Sequence, residues 1–121
     1  MEKRNEILEL SFEFAVDIIA FSELLEAQRK YVLARQILKS GTSIGANIRE
    51  AQNGETKADF VHKLKISAKE ADETEYWLLL CEKSQNYPFD PLLINKLTSI
   101  KKLLSSIIST MKSNIKQSSN H

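Results

Sequence analysis

Residues 40–54 read SGTSIGANIREAQNG, and the fold turns on whether this stretch is helix or loop. Ser40, Gly41, Thr42, Ser43, Gly45 and Asn47 are all middling or poor helix formers. Yet Leu33, Ile37, Gly41, Ile44, Ile48 and Ala51 recur at three-and-four spacing, which predicts an amphipathic helix over about residues 30–52. On a helical wheel the basic residues Arg35, Lys39 and Arg49 form a second line. Between it and the core stripe run Gln36, Ser40, Ser43, Asn47 and Glu50. Small side chains let helix backbones approach closely, and polar ones at such a contact need partners. Packing therefore accounts for the lost propensity, and no catalytic role is required.

Outward from this stretch, Asn53-Gly54 is a turn signal that ends the helix. Thr56 is placed to cap a third helix, with Asp59 three residues on as an imperfect capping box. That helix, about residues 57–84, carries Phe60, Leu64, Ser67, Ala68, Ala71, Thr74, Glu75 and Leu78 on one stripe. Ile66, Trp77 and Leu80 lie on roughly the opposite side. Pro88 and Pro91 cannot continue a helix, so QNYPFDP at 85–91 stops it. Asp90 then caps a fourth helix with Pro91 in its first turn, running to about residue 115. Its inward line is Leu93, Leu97, Ile100, Leu104, Ile107 and Met111.

Upstream, about residues 5–27, Ile7, Ser11, Phe14, Ile18, Phe21 and Leu25 share one helical face. Leu8, Phe12, Ala15 and Ile19 form a second apolar line about 100° away. A helix that is apolar on two faces wants two neighbours or a partner chain. Together the segments predict an all-α fold, an up-down-up-down antiparallel four-helix bundle. It is expected to be a single domain over residues 1–115, with KQSSNH at 116–121 as a frayed tail.

The polar line of the second helix is expected to meet Ser67, Thr74 and Glu75 of the third. Ser40, Ser43, Asn47, Glu50 and Glu75 would build a polar seam, with Asn47 or Ser43 bonding across to Glu75 or Thr74. A buried, unpaired carboxylate is costly, so Glu75 must be paired, hydrogen-bonded, protonated or more exposed than its stripe implies. Ile66, Trp77 and Leu80 exceed what a lone bundle needs. They are expected at a subunit interface, because exposed apolar patches mark contacts and Trp is favoured at their centres.

Composition narrows the class. A chain of 121 residues is one domain by length. Three Gly and two Pro are too few for a hairpin-rich β fold. Cys81 is the only cysteine, which excludes an internal disulfide and a Cys-rich zinc site. The opening MEKRNEILEL has no apolar signal region, and no apolar run approaches the roughly 20 residues that cross a bilayer. A soluble cytoplasmic protein is expected, with no membrane partner.

The net charge of +1 hides an uneven distribution. Residues 91–121 hold five lysines and no acid, and the window 27–49 is also free of acids. Arg35, Lys39 and Arg49, with Lys101, Lys102 and Lys112, are the candidate contacts to a phosphate backbone. A solvated face is the commoner role of such patches. No aromatic residues interleave with these cations, so sequence-specific RNA recognition has no support.

Catalytic chemistry finds no constellation. Asp59-x-x-His62 lacks the second motif of a two-metal carboxylate bundle. Cys81 has no basic partner in sequence, and no phosphate-loop pattern is present. No metal, cofactor or enzymatic activity is expected.

LKSGTSIGANIREAQNGETKADFVHKLKISAKEADETEYWL, residues 38–78, resembles a known family. Its members are small four-helix-bundle proteins encoded within intervening sequences of large-subunit ribosomal RNA genes in some bacteria. The resemblance rests on Ser40-Gly41-Thr42-Ser43-Ile44, Asn47-Ile48-x-Glu50-Ala51, Asp59-Phe60 and the block from Glu73 to Leu78. It implies a four-helix bundle, assembly as a homopentamer and a largely undefined molecular role. The related accessory proteins of diversity-generating retroelements are more basic and work with a reverse transcriptase and nucleic acid. The charge of +1 departs from that pattern. A non-enzymatic, homo-oligomeric scaffold or adaptor is therefore expected. The alternative is a nucleic-acid-binding accessory protein whose partner is nucleic acid or a nucleic-acid-processing protein.

Overall fold

The structure, a computed structural model, describes residues 2–119. Four helices follow one another: α1 (Glu2–Ala27), α2 (Tyr31–Ala51), α3 (Lys57–Lys83) and α4 (Pro91–Ser119). The stretch 40–51 is continuous helix despite its glycines. α4 runs past the expected end at residue 115, which corrects the frayed tail for 116–119. Lys116 and Gln117 favour helix, and neither Gly nor Pro intervenes. Asn120 and His121 lie outside the described residues.

The ends are closed by side chains and by one unusual backbone conformation. The Thr56 hydroxyl accepts the Asp59 N–H at 3.0 Å, and the Asp90 carboxylate accepts the Leu92 N–H at 3.0 Å. At the end of α1, Arg29 is left-handed, with φ of 63°. The Lys30 N–H there reaches back to the Leu25 carbonyl at 2.8 Å. That six-to-one closure usually employs glycine, because a Cβ strains the left-handed region. Gly54, where the sequence predicts such a cap, has no positive φ. Space is what it provides: a Cβ there would stand 3.1 Å from the Phe60 nitrogen.

Each helix packs against the helices before and after it, and α4 closes on α1. Across the diagonal, α1 and α3 touch where the Arg4 guanidinium lies 4.1 Å from the centre of the Phe60 ring. Ser22 reaches Ala34 while Gly45 lies at Ser11, so α1 and α2 run antiparallel. Ser40 meets Thr74 and Glu50 meets Lys63, which sets α3 antiparallel to α2. α4 runs back along α1, with Lys96 on Asp17 and Ser106 on Lys3. This is the order of an up-down-up-down bundle. The core is apolar and mostly aliphatic, with Phe14, Ile18, Leu25, Ile37, Ile44, Ile48, Leu64, Leu78, Leu97, Ile100 and Leu104 all fully enclosed.

The most extensive packing surrounds α2, whose small residues let both neighbours approach. Toward α1, a Cβ on Gly41 would stand 2.8 Å from Ile18 Cγ2. One turn on, a Cβ on Gly45 would stand 3.3 Å from the Ser11 carbonyl oxygen. Toward α3, the Ser67 hydroxyl donates to the Ile44 carbonyl at 2.8 Å.

Replacing Gly41 with Ala drives a methyl into the fully buried Ile18 and should lower the unfolding free energy by about 1–3 kcal/mol. Gly45→Ala would set a methyl 3.3 Å from the Ser11 carbonyl oxygen, tighter than ordinary contact but milder than the clash at Gly41. Its helix-propensity gain of about 1 kcal/mol should leave it near wild type. Urea unfolding of the two variants checks this, and equal losses would refute the close approach at Gly41. Arg29→Gly should raise stability by about 0.5–1 kcal/mol in the same assay, as left-handed strain is relieved.

Candidate functional site

The bundle consumes one face of α1 and leaves the second exposed. Ile7, Ser11, Phe14, Ile18, Phe21, Ser22 and Leu25 point inward. Phe12, Val16 and Ile19 stand 62%, 53% and 44% exposed. With the half-buried Leu8 and Ala15 they make one apolar strip along the outside of α1. Beside it a groove of about 510 Å³ separates α1 from α2, lined by Leu8, Phe12 and Ala15 on one wall and Thr42, Gly45, Ala46 and Arg49 on the other. Gly45 and Ala46 keep this wall shallow. The same small residues that draw the helices together thus shape the surface outside them.

The seam between α2 and α3 exists with partners other than those expected. Thr74 Oγ1 lies 2.9 Å from Ser40 Oγ, 2.7 Å from the Glu70 carbonyl, and Ser40 Oγ lies 3.0 Å from the Gln36 carbonyl. Two hydroxyl protons serve three contacts, so the pair forms a short chain ending on a backbone carbonyl. Asn47 does not cross to Glu75 or Thr74: its amide donates to the Ser43 carbonyl at 2.9 Å, and the Ser43 hydroxyl donates to the Lys39 carbonyl at 2.7 Å. Both side chains find the carbonyl one turn back and do not reach α3. Glu50 joins α3 at the surface, accepting from Lys63 at 3.0 Å. Glu75 faces α4 instead of α2, where Lys101 lies 3.2 Å from it and 2.9 Å from Asp72. The bond to Asp72, then that to Glu75, holds the Lys101 ammonium above its ordinary pKa.

Ile66, Trp77 and Leu80 are half-buried in the single chain. The Trp77 ring packs on the core, its N–H directed at the Glu73 carboxylate at 3.4 Å and its edge near Tyr76. The outward apolar residues of α3 are Tyr76 and Leu79, 57% and 42% exposed. Trp, Leu and Leu occupy 77, 79 and 80, so the wheel alone does not tell which of them turns inward.

The six candidate basic residues do not converge. Arg35, Lys39 and Arg49 lie along α2, with Arg49 at the α1–α2 groove and Lys39 close enough to Glu70 to act on its carboxyl. Burial and Glu73 push that carboxyl up, and Lys39 opposes them. Lys101 is neutralised by its two acids, while Lys102 and Lys112 stand exposed on α4. Cys81 is enclosed in the core, and burial pushes its thiol up to about 11, the reverse of nucleophile activation. His62 is exposed, and among the described residues no three of His, Cys, Asp and Glu gather as a metal site. No helix is long and apolar enough to cross a membrane, among the described residues.

The arrangement has known parallels. A crystal structure of a protein of unknown function from the S23 ribosomal protein family of Bacteroides thetaiotaomicron superposes with a TM-score of 0.84. The two are 46% identical over 88% of this chain and 98% of that one. No curated protein matches. The model of the 23S rRNA-intervening sequence proteins matches residues 3–106, taking in part of every helix of the bundle. By that match, and with the fold it accompanies, the chain belongs to the 23S rRNA-intervening sequence protein family.

Proposed function

We propose that this chain is a non-enzymatic, cytoplasmic scaffold that assembles with copies of itself, as a pentamer by its family resemblance. One observation carries the reading: the strip of Leu8, Phe12, Val16 and Ile19 on α1, continuous with the groove floored by Gly45 and Ala46. Water penalises an apolar strip of this length, and monomers seldom keep one without a use for it. Phe12 is the natural anchor, since aromatic side chains dominate the energetics of subunit contacts. Ile66, Trp77 and Leu80, with the exposed Tyr76 and Leu79, give α3 a second apolar surface for a neighbour. The absence of a convergent acid, base and nucleophile among the residues described above favours assembly over catalysis.

Light scattering on the purified protein decides the matter. The expected mass is several times 13.8 kDa and persists at high salt, because apolar contacts are not screened. Phe12→Glu combined with Val16→Glu should return the mass to a single chain while circular dichroism stays helical. A wild-type monomer, or a charged variant that still assembles, would overturn the α1 interface.

A further inference from the structure

Across the bundle from the α1–α2 groove, a cleft of about 470 Å³ between α3 and α4 carries its own counter-charges. Lys101 there lies 2.9 Å from Asp72 and 3.2 Å from Glu75. The α1–α2 side is different. Residues 2–26 hold seven acids against two bases, and residues 27–49 hold five bases against no acid. Glu6, Glu9 and Glu13 follow one another at three-and-four spacing along the outside of α1, all exposed. Asp17 continues their line and pairs with Lys96, so the acids run along the α4 side of the apolar strip. On α2, Arg35, Lys39 and Arg49 are exposed in turn. Lys39 shares a helical line with Glu50, three turns on, and Glu50 pairs with Lys63 of α3. The acid line thus borders α4 and the basic line reaches toward α3, and the two faces look away from each other. Asp17 apart, none of these acids and bases forms an ion pair along the α1–α2 side, and Glu50 alone is held by α3, among the described residues.

Antiparallel packing sets the heights of the two faces. Gly45 lies at Ser11, and Ser22 reaches Ala34. Counted from those contacts, and to within a turn, Arg49 stands level with Glu9, Ala46 with Phe12, Thr42 with Val16 and Arg35 with Glu23. Two copies set side by side and pointing the same way keep these heights. The large side chains of Phe12 and Val16 on one copy then meet the small ones of Ala46 and Thr42 on the next. Glu9 and Glu23 meet Arg49 and Arg35 in the same register. Strip against strip would instead gather the acids of two α1 helices at one contact, and facing like charges count against that pairing.

We propose that copies of this chain dock head to tail, the outer face of α1 on one seated against the outer face of α2 on the next, with every bundle pointing the same way. The inference rests on the self-assembly proposed above and adds which faces meet and in which direction. A contact between two different faces leaves one of each free on the outermost copies, so it propagates until rotation closes a ring. Apolar burial supplies the affinity, and the charged lines choose the partner face and its orientation.

The test is charge exchange read by light scattering on the full chain. Glu9→Lys with Glu23→Lys, and separately Arg35→Glu with Arg49→Glu, each set like charges at the contact. Either pair should raise the concentration needed for assembly about tenfold or more at low salt. All four substitutions together exchange acids for bases on both faces and should restore assembly to near the wild-type level. The four positions are exposed and receive good helix formers, so circular dichroism should stay helical throughout. At about 1 M salt, where screening acts beyond roughly 3 Å, the two paired variants should assemble again, which a folding defect would not do. An α2 variant that assembles as the wild type does would take α2 out of the contact and overturn the proposal. Failure of the four-site variant to reassemble would also overturn it, with self-assembly of the wild type left standing. A wild-type chain that stays monomeric removes the self-assembly itself, and this inference with it.

Discussion

The close approach of Gly41 to Ile18 governs the arrangement of the bundle. A Cβ at Gly41 would stand 2.8 Å from the Ile18 side chain, so no other residue fits without moving a fully buried isoleucine. Ile18 can occupy that hollow only if α1 turns Ser11 and Ser22 toward α2 as well. Both do so: Ser11 lies under Gly45, and Ser22 donates to the Ala34 carbonyl at 3.0 Å. With that face committed, the line of Leu8, Phe12 and Ile19 turns outward beside the groove. The surface offered for assembly is a consequence of how the core closes.

Polar groups are sorted by what they cost when buried. Inside, the bundle admits hydroxyls, which settle on carbonyls one turn back or on one another, as Ser40 and Thr74 do, or on a carbonyl of the neighbouring helix, as Ser22 and Ser67 do. Carboxylates stay at the margins. Glu50, Asp72, Glu75 and Asp17 each meet a lysine at a helix–helix edge that water still reaches. Such pairs contribute up to about 1 kcal/mol each, so they select register more than they supply stability. Acid-to-lysine matching across α2–α3, α3–α4 and α1–α4 disfavours a slip of any one helix.

Features carried by local chemistry were legible in the sequence. Periodicity located four helices and nearly all of their inward residues, and Thr56 and Asp90 cap as their side chains dictate. The outer line of α1 was also legible, because four of its residues keep helical spacing. Features that depend on helix rotation and register were not. Polar residues on one wheel line of α2 suggested a bond from Asn47 to α3, yet Asn47 finds its acceptor within α2. Trp77 sits off the core line of α3 by wheel angle but is long enough to reach back and pack on it. Arg29 takes the left-handed conformation without the glycine that announces one. Lys101 and Glu75 stand 26 positions apart, and only the α3–α4 pairing brings them together.

The two outer surfaces are separated by the order of the helices. Because α2 packs between α1 and α3 while α4 closes on α1, the α1–α2 groove and the α3–α4 cleft open on opposite sides. An assembly closed through the strip on α1 would repeat the α3–α4 cleft once per subunit. Repeated weak sites on one rigid body raise the affinity for a polyanion by orders of magnitude with no new contact, provided the ligand spans them. Repetition thus matters only for a partner long enough to span several subunits, and the order of the helices decides which surface an assembly consumes and which it multiplies.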